Sequence, residues 1–389
     1  MIPYSRQYID KDDIKNVVKV LKSGFITQGK QVPLFEKRIS SLVKAKYGVA
    51  TNSATSALHV ACLALGLKKN DILWTVPNTF VASANCALYC HAKIDFVDID
   101  ERTLNISIKN LEKKLKIAKR KNKLPKIVVP IDFAGNPYDQ KKLFDLSKKY
   151  HFKIVEDAAH SLGSKFNGSK IGSGKWTDIS IFSFHPVKPI TTAEGGMALT
   201  NNKKLYKKML IFRNHGINKT SSELKKKGLQ KWYYEQQFLG YNYRMNDVQA
   251  ALGLSQIKKL SSFIKKRNII AKRYITELKN LPIKFQKINP KTSSSYHLFI
   301  ITFPKKRKII NNYNKIFKEF INNKIGVNLH YLPVHLHPYY KKLGFRQNMF
   351  PISESYSKRS LSIPIFHKLT NGEQSKIINF IRYICKKYC

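Results

Sequence analysis

The stretch Ser183–Gly196, SFHPVKPITTAEGG, follows directly on the apolar alternating run Asp178–Phe182, DISIF. Such a run is typical of a buried β-strand, so Ser183 is expected at the end of the strand and Lys188 in the proline-flanked loop beyond it. Desolvation in such a loop can keep part of a lysine amine neutral, and a neutral amine can form an imine with a carbonyl compound. The stretch therefore predicts a nucleophilic lysine beside the end of a strand.

A second short run, His151–His160, HFKIVEDAAH, ends in acidic and then small residues. In open α/β sheets the carboxyl ends of the strands face the ligand crevice. Asp157 is therefore a candidate partner for the pyridinium nitrogen of pyridoxal 5'-phosphate (PLP), whose ring then acts as an electron sink. Taken alone, Asp157 is as well explained as the N-cap of a following helix. With Lys188 at the end of another strand, the cofactor interpretation is favoured.

Short apolar runs alternate with helical patterns from Val49 to Thr200. This alternation predicts an α/β fold, with a mostly parallel sheet covered by helices on both faces. The predicted strands are Ile72–Val76, Ile94–Val97, Lys126–Ile131, Lys153–Glu156, Ile179–Ser183 and Met197–Thr200. The predicted helices between them are Thr55–Leu65, Phe80–Cys90, Ile108–Lys121 and Asp139–Tyr150.

The pattern changes after Met245, where one long helix is predicted over Asn246–Leu278 and a smaller α/β unit after it. The polar, lysine-rich segment Asn218–Gln237 is predicted to be a surface loop. We therefore expect two domains. Residues 1–245 form a large PLP-binding domain with an N-terminal arm, and residues 246–389 form a small C-terminal domain led by the long linking helix.

Three motifs, Glu156–His160, Ser183–His185 and Lys188–Gly196, together resemble the signature of the DegT/DnrJ nucleotide-sugar aminotransferases. The similarity runs nearly end to end, and its further segments are Thr27–Lys30 (TQGK), Asn52–Leu58 (NSATSAL) and Gly240–Asp247 (GYNYRMND). The resemblance implies a PLP-dependent transferase of fold type I. Such a fold has a large domain with a mostly parallel mixed sheet covered by helices, and a smaller C-terminal α/β domain.

The resemblance also implies a set of cofactor contacts. Lys188 is the catalytic residue in this comparison, and the other cofactor-binding residues are Ser53, Ala54, Thr55, Phe80, Asp157, His160, Ser183 and Asn242. Ser53–Thr55 are small residues before an apolar helix, where backbone N–H groups and hydroxyls suit a phosphate, although an ordinary N-cap has the same form. Core packing is the alternative for Phe80, and capping or core packing for His160. Asn242 matches a position that completes the phosphate site of the neighbouring subunit, which implies a homodimer with shared active sites.

The nucleotide-sugar contacts implied by the resemblance come from both ends of the chain. They are Tyr4, Gly24, Phe25, Ile26, Thr27, His330, Tyr331, Leu332 and Pro333. Leu332 departs from relatives that carry a polar or basic residue there, so contacts to the sugar or phosphate are expected to differ at that point. The sequence of Lys188–Gly196 most resembles the corresponding segment of enzymes that transfer an amino group from L-glutamate to C4 of a UDP-linked 4-keto sugar in pseudaminic acid synthesis.

The net charge of +47 is unusual for such an enzyme. Taken alone it would indicate a nucleic acid or an anionic surface as partner. The lysines are spread along the chain, however, in runs that we interpret as solvated helix faces and loops. No helix-turn-helix, zinc or RNA-binding pattern accompanies them. We therefore favour genome composition as the origin of the charge and expect neither a nucleic-acid nor a membrane partner.

The cysteines indicate a reducing compartment. Their number, five, is odd, and their spacing does not match paired metal ligands, which is typical of a cytoplasmic protein. No run of about eighteen apolar residues predicts a membrane span, and the first residues lack the apolar core of a signal peptide. The histidines His330, His335 and His337 have no obvious carboxylate or cysteine to complete a zinc site, so no metal is expected.

Three alternatives remain open. Some family members dehydrate their substrate at C3, but in those enzymes a histidine replaces the lysine, and Lys188 is present here. A C4 aminotransferase acting on a different UDP-, dTDP- or GDP-linked keto sugar is the nearest alternative. A basic nucleic-acid-binding protein without catalysis is the third, and the presence of both Asp157 and Lys188 argues against it.

Overall fold

A seven-stranded mixed sheet is the largest element of the computed structural model, which describes residues 1–218 and 232–389. The strands are β1 (Tyr47–Thr51), β2 (Ile72–Thr75), β3 (Lys93–Phe96), β4 (Ile127–Val128), β5 (Lys153–Asp157), β6 (Lys165–Phe166), β7 (Ser169–Lys170), β8 (Ile179–Ser183), β9 (Gly196–Thr200), β10 (Ile217–Asn218), β11 (Glu235–Gln236), β12 (Lys284–Phe285), β13 (Thr292–Ser293), β14 (Phe299–Thr302) and β15 (Ser360–Ile363). The large sheet has the order β1-β9-β8-β5-β4-β2-β3.

Five neighbouring strands of this sheet, β8, β5, β4, β2 and β3, run parallel, while β9 runs antiparallel to both of its neighbours, β8 and the edge strand β1. All five residues of β8 and the last four of β5 are buried, as expected for strands covered on both faces. In the β5–β8 pairing Asp157 lies opposite Ile181. Both strands therefore end at the same edge of the sheet, and the predicted α/β class with a mostly parallel sheet is confirmed.

Helices cover both faces of the sheet and build the C-terminal part of the chain. They are α1 (Lys11–Leu21), α2 (Gln31–Val43), α3 (Ala54–Ala64), α4 (Ala82–Tyr89), α5 (Ile108–Arg120), α6 (Gln140–Tyr150), α7 (Lys203–Arg213), α8 (Asp247–Gln256), α9 (Leu260–Leu278), α10 (Arg307–Asn322), α11 (Pro338–Lys342), α12 (Pro351–Ser357) and α13 (Asn371–Tyr388). The sequence of α3, ATSALHVACLA, is apolar nearly all round, and the helix is buried against β8 and β9 accordingly. Ser53, its N-cap, lies at the phosphate segment expected from the sequence.

The single long helix predicted over Asn246–Leu278 is not observed. The segment forms α8 and α9, joined by a 3-10 turn at Ile257–Lys259. Polar contacts to the first helix hold this break: Gln256 donates to the Asp13 carboxylate, and Lys259 Nζ lies 2.8 Å from the same group. These contacts join residues about 245 positions apart, so the local pattern could not reveal them. The domain boundary between residues 245 and 246 stays a prediction.

The C-terminal part of the chain has an apolar core of its own. Its three-stranded antiparallel sheet, β12-β14-β15, packs with α9, α10 and α13. The N-terminus contributes to this core, because the buried Ile2 joins it and pairs with the strand-like segment after α10. Ile2 N donates to Lys324 O at 2.8 Å, and Gly326 N donates to Ile2 O at 2.7 Å.

The predicted surface loop at Asn218–Gln237 falls mostly on residues 219–231, which lie outside the described residues. At its flanks β10 pairs with β11 in a two-stranded antiparallel ladder. Within residues 1–218 and 232–389, no helix has the length and apolar character that crossing a bilayer requires.

Asp247 joins the start of α8 to the segment Ile26–Val32, which lies more than 200 residues earlier in the sequence. Its carboxylate accepts hydrogen bonds from the backbone N–H groups of Gly29 (2.6 Å), Gln31 (2.7 Å) and Val32 (3.2 Å), and its own N–H donates to Ile26 O at 2.9 Å. The helix α2 has no N-cap side chain of its own, so this fully buried carboxylate caps it from the first turn of α8.

Replacing Asp247 with alanine is expected to lower the free energy of unfolding by about 3 kcal/mol, because three buried N–H groups lose a charged acceptor. Urea denaturation of the cofactor-free protein measures this loss. Asp145→Asn is the matched control, since Asp145 is an exposed carboxylate paired only with Lys141 across one helical turn, and its unfolding midpoint should stay near that of the wild type. Equal midpoints for both variants would contradict the capping role of Asp247.

Candidate active site

A cavity of about 730 Å³ lies at the edge of the sheet where β5 and β8 end. We call it the Lys188 cavity. The sequence-predicted site residues that line it are Tyr4, Ser53, Ala54, Thr55, Phe80, Asp157, His160, Ser183, Lys188, His330 and Tyr331. Residues from the N-terminus, the large sheet and the C-terminal part of the chain thus meet at one place, although no more than three of them are consecutive in the sequence.

The remaining predicted site residues lie outside the lining of this cavity within one chain. They are Gly24, Phe25, Ile26, Thr27, Asn242, Leu332 and Pro333. Phe25 and Leu332 are 70% and 45% exposed, and Asn242 is exposed on a segment bridged to Asn214. Their roles stay predictions, and an exposed position is compatible with contacts to a second subunit.

Asp157, the last residue of β5, is buried at the floor of the cavity. One carboxylate oxygen accepts the Ser83 hydroxyl at 2.6 Å, and the other accepts Ala159 N at 3.1 Å. Burial raises the pKa of Asp157, while these two hydrogen bonds and the charge of Lys188 oppose that rise. No helix begins directly after Asp157, so it is not an N-cap. Its carboxylate is placed to face a cationic ring nitrogen.

Lys188 lies in a turn beyond the end of β8, where its N–H donates to His185 O at 2.9 Å. The residue is half-buried and contributes to the lining of the cavity. Burial lowers the pKa of Lys188 to about 8, and the nearby Asp157 carboxylate limits the decrease. A lysine with this pKa is about one-tenth neutral at pH 7, whereas an ordinary lysine is almost wholly charged. Its amine can therefore attack a carbonyl carbon near neutral pH.

The start of α3 forms another wall of the cavity. Ser53 caps the helix by accepting Ser56 N at 3.1 Å, so the N-cap interpretation of this segment is correct. The cap leaves Ala54 and Thr55 at the cavity, where first-turn N–H groups attract anions. Gly196 makes this arrangement possible, since a Cβ there would lie 2.5 Å from the Ser53 backbone. A capped helix terminus open to a cavity suits a phosphate group.

Phe80 is 56% exposed and lines the cavity, which excludes core packing as its role. An aromatic ring at the rim is suited to stack on a planar ligand. Together with Asp157, Lys188 and the start of α3, it provides one group for each part of PLP: the ring face, the ring nitrogen, the aldehyde carbon and the phosphate. The residues present therefore fit this cofactor.

Ser83 and His297 are among the cavity residues that the sequence analysis did not name. Ser83 supports Asp157 and is itself bonded to the Thr79 hydroxyl at 2.9 Å, yet a serine on a helix carries no distinctive signal. His297 is fully buried, and its ring centroid lies 4.5 Å from that of His160. Its sequence neighbourhood predicts a core strand, which gives no indication of a site residue. Its Nδ1 atom has no hydrogen-bond partner within the part of the chain that the structure describes.

The other histidines of the C-terminal part have defined neighbours. His330 bonds to Ser362 at 2.8 Å and packs against the Tyr4 ring at 5.3 Å. His335 is buried against Glu354 at 3.0 Å, a partner that sequence spacing does not reveal. Over residues 1–218 and 232–389 there is no group of three or more histidine, cysteine or acidic side chains arranged to hold a metal ion.

Comparisons with known proteins agree with this site. The model of the DegT/DnrJ/EryC1/StrS aminotransferase family matches residues 7–382. A UDP-4-amino-4,6-dideoxy-N-acetyl-beta-L-altrosamine transaminase of Campylobacter jejuni is 39% identical over 100% of both chains. The structure of Helicobacter pylori PseC, an aminotransferase involved in the biosynthesis of pseudoaminic acid, superposes with a TM-score of 0.89 at 32% identity, covering 100% of each chain. A Streptococcus pneumoniae structure described as a sugar aminotransferase in its PLP form has a TM-score of 0.89 at 28% identity, covering 100% of this chain and 99% of that one.

The Ser83 hydroxyl lowers the pKa of Asp157, so Ser83→Ala should raise that pKa further. The acid limb of the profile of kcat against pH is then expected to move to higher pH, with turnover at pH 7 reduced about threefold to tenfold. Steady-state assays between pH 5 and 9 test this, with Ser41→Ala on the exposed face of α2 as the control. A uniform loss of activity without displacement of the acid limb would contradict the proposed support of Asp157.

The pKa of about 8 at Lys188 predicts how the cofactor-free protein takes up PLP. The rate at which yellow absorbance develops should rise with pH, with its midpoint near pH 8 and a plateau about one pH unit higher, because only the neutral amine reacts. Asp157 raises the lysine pKa, so Asp157→Asn should move the midpoint to lower pH. Stopped-flow absorbance measures both midpoints, and Lys188→Ala should develop no such colour. A wild-type midpoint near the ordinary value of about 10.4 would disprove the desolvation argument.

Proposed function

The chain belongs to the DegT/DnrJ/EryC1/StrS aminotransferase family and is a PLP-dependent sugar aminotransferase, and from this premise we propose its substrate. It transfers the amino group of L-glutamate to C4 of a UDP-linked 4-keto-6-deoxy-N-acetylhexosamine. The product is UDP-4-amino-4,6-dideoxy-N-acetyl-β-L-altrosamine, on the route to pseudaminic acid. The observation that supports this proposal most strongly is the 39% sequence identity to the Campylobacter jejuni transaminase over the full length of both chains.

The cavity residues divide the work of amino transfer between them. When bound, PLP supplies an aldehyde carbon and an electron-withdrawing ring, which carry the amino group from donor to acceptor. Lys188 would hold the cofactor through its amine, and its Nζ, when free, would be placed to move a proton from the donor carbon. Its lowered pKa suits this role, because a base works best when its pKa lies near the working pH.

Asp157 and Phe80 orient the ring and set its charge. The Asp157 carboxylate, held by Ser83, stabilises the protonated ring nitrogen and so maintains its ability to withdraw electrons. The exposed Phe80 ring covers one face of the cofactor. The N-terminus of α3, capped by Ser53, anchors the phosphate, with Ser183 contributing a further hydroxyl from the end of β8.

A homodimer with shared active sites is part of the proposal. Asn242 is exposed, and it lies between the half-buried Tyr241 and Tyr243, whose ring centroids are 4.9 Å apart. Asn52 N donates to Tyr243 O at 2.9 Å, which ties this segment to the residues before α3. An asparagine presented in this way is suited to reach the phosphate site of a second copy.

Two alternatives to the proposed function can be distinguished from it by experiment. Transfer to C4 of another nucleotide-linked keto sugar retains every feature of the cavity described above, so only the acceptor can distinguish it. A basic protein that binds nucleic acid without catalysis would not require the enclosed pair of Asp157 and Lys188. Binding of DNA that depends strongly on salt and persists at physiological ionic strength would favour that alternative.

The decisive experiment is the absorbance spectrum of the purified protein through both halves of the reaction. We expect a yellow protein that L-glutamate bleaches and that a UDP-linked 4-keto-6-deoxy-N-acetylhexosamine restores to yellow. Parallel samples with dTDP- and GDP-linked 4-keto sugars, and with Lys188→Ala, serve as controls. Restoration by one of those sugars alone would replace the proposed acceptor, and a protein that stays colourless with added PLP would refute the cofactor assignment at this site.

A further inference from the structure

A second cavity, of about 280 Å³, lies where the large sheet meets the C-terminal part of the chain. We call it the junction cavity. Glu101, Arg102 and Leu104, which follow β3, form one side of its lining. The rest comes from β12 and the two residues after it, the end of β14, and Arg359 just before β15. Among the described residues it shares no lining residue with the Lys188 cavity, so it is a separate cavity.

Cations dominate the lining of the junction cavity. Four of its nine lining residues are lysine or arginine, namely Arg102, Lys284, Lys287 and Arg359. In the whole chain these two residue types account for 71 of 389 residues, so the cavity is more basic than the chain as a whole. Glu101 is the one acidic residue of the described lining, which leaves a net charge of +3. A cleft with this excess of one charge attracts small anions.

Three of these cations have no acidic partner. Within residues 1–218 and 232–389, Arg102, Lys284 and Lys287 take part in no ion pair. The carboxylate of Asp100 is engaged by its own loop, because it accepts the backbone N–H groups of Arg102 at 3.0 Å and Thr103 at 2.8 Å. An anion in the cavity therefore meets positive charge that no side chain neutralises.

Arg359 is the fixed member of the group, with only 4% of its surface exposed. Its Nε donates to Ser355 Oγ at 3.2 Å, and its Nη1 donates to Phe303 O at 2.9 Å. Its Nη2 donates to the Glu101 carboxylate at 2.9 Å, but that side chain is 53% exposed. The guanidinium is thus anchored by protein on two sides, and its third contact is to a carboxylate half in solvent. A planar guanidinium held in this way suits the oxygens of a phosphate.

The frame of the cavity is held by hydrogen bonds between the two parts of the chain. Gln286 Nε2 donates to Thr103 O at 2.7 Å and to Phe133 O at 3.0 Å. Lys287 N donates to Arg102 O at 2.8 Å. These bonds fix the backbone on both sides of the cavity without a ligand, and a preformed site loses less conformational entropy when a ligand binds.

The size of the cavity limits the ligand. Sites for drug-sized molecules typically measure about 300–1,000 Å³, and the junction cavity lies just below that range. A compact group that carries several negative charges therefore matches it best. Phosphate and diphosphate groups have this size and charge, and their oxygens accept several hydrogen bonds at once.

We propose that the junction cavity binds a phosphate or diphosphate group through its four cations, and that the bound anion links the large sheet to the C-terminal part of the chain. Free pyrophosphate and the diphosphate of a nucleotide share this chemistry. The inference is independent of the proposed sugar acceptor, because amino transfer uses the other cavity.

The test measures the binding of inorganic pyrophosphate to the PLP-loaded enzyme by isothermal titration calorimetry. Arg102→Gln combined with Lys284→Gln removes two exposed cations of the cavity, so we expect the variant to fold and to keep its yellow colour. Its affinity should fall about tenfold or more, the effect of losing charged hydrogen bonds. Lys113→Gln combined with Arg120→Gln, both exposed on α5, is the matched control with the same change in net charge. The affinity of this control should stay within about twofold of the wild type, because screening weakens distant charges.

Glu101→Gln tests the placement of the anion beside Arg359. The substitution removes the acidic residue of the described lining and nearly keeps its shape. Pyrophosphate should then bind about threefold to tenfold more tightly, because a like charge no longer repels it. Asp145→Asn, which makes the same change in net charge outside the cavity, should leave the affinity unchanged.

The outcomes that contradict the inference are distinct. Absence of binding by the wild type, or equal affinities in the wild type and the Arg102→Gln, Lys284→Gln variant, would overturn it. Equal losses in both double variants would also overturn it, since they would indicate a response to net charge alone. Failure of Glu101→Gln to tighten binding would overturn the placement beside Arg359.

A parallel titration with UDP separates the two sources of the anion. UDP is also expected at the Lys188 cavity, so only the part of its binding that the Arg102→Gln, Lys284→Gln variant loses belongs to the junction cavity. Loss of such a part would identify a nucleoside diphosphate as a ligand of this cavity. Loss of pyrophosphate binding alone would identify the free anion.

Discussion

The enclosed pair formed by Lys188 and Asp157 is the constraint on which the rest of the site depends. An ionised amine and an ionised carboxylate both lose hydration when protein surrounds them, so each shifts towards its neutral form and each partly restores the charge of the other. Two adjacent parallel strands, β5 and β8, bring them to one edge of the sheet. The Ser83 hydroxyl and the capped start of α3 add further polar groups beside this pair.

The C-terminal part of the chain contributes His297, His330 and Tyr331 to the cavity, and these residues, with the nearby His160 of the large sheet, are uncharged. Burial keeps the imidazoles of His160, His297 and His330 neutral, since each has a pKa far below its usual value. The cavity therefore has a charged part, formed by Lys188 and Asp157, and a neutral part, which contains these imidazoles. The neutral imidazoles can offer only uncharged hydrogen-bond donors and acceptors.

Much of the fold could be predicted from local sequence patterns. The parts that could not be predicted in this way depend on contacts between residues far apart in the sequence. The strand Ile179–Ser183 was predicted with its observed bounds because its alternation is strong, whereas Tyr47–Thr51, with its glycine and alanine, lacks that signal and was missed. The break at Ile257–Lys259 and the capping carboxylate of Asp247 rely on partners more than 200 residues away. Motif similarity located Asp157 and Lys188, but only the folded chain reveals Ser83 as a neighbour.

The seating of Ile2 in the C-terminal core has a consequence for how the chain is made. Ile2 is translated more than 300 residues before its pairing partner Ile325 and before the helix α13 that packs in the same core. The contact of Ile2 therefore cannot form until those later segments have been translated. Pairing over so long a sequence separation is of the kind that slows folding most.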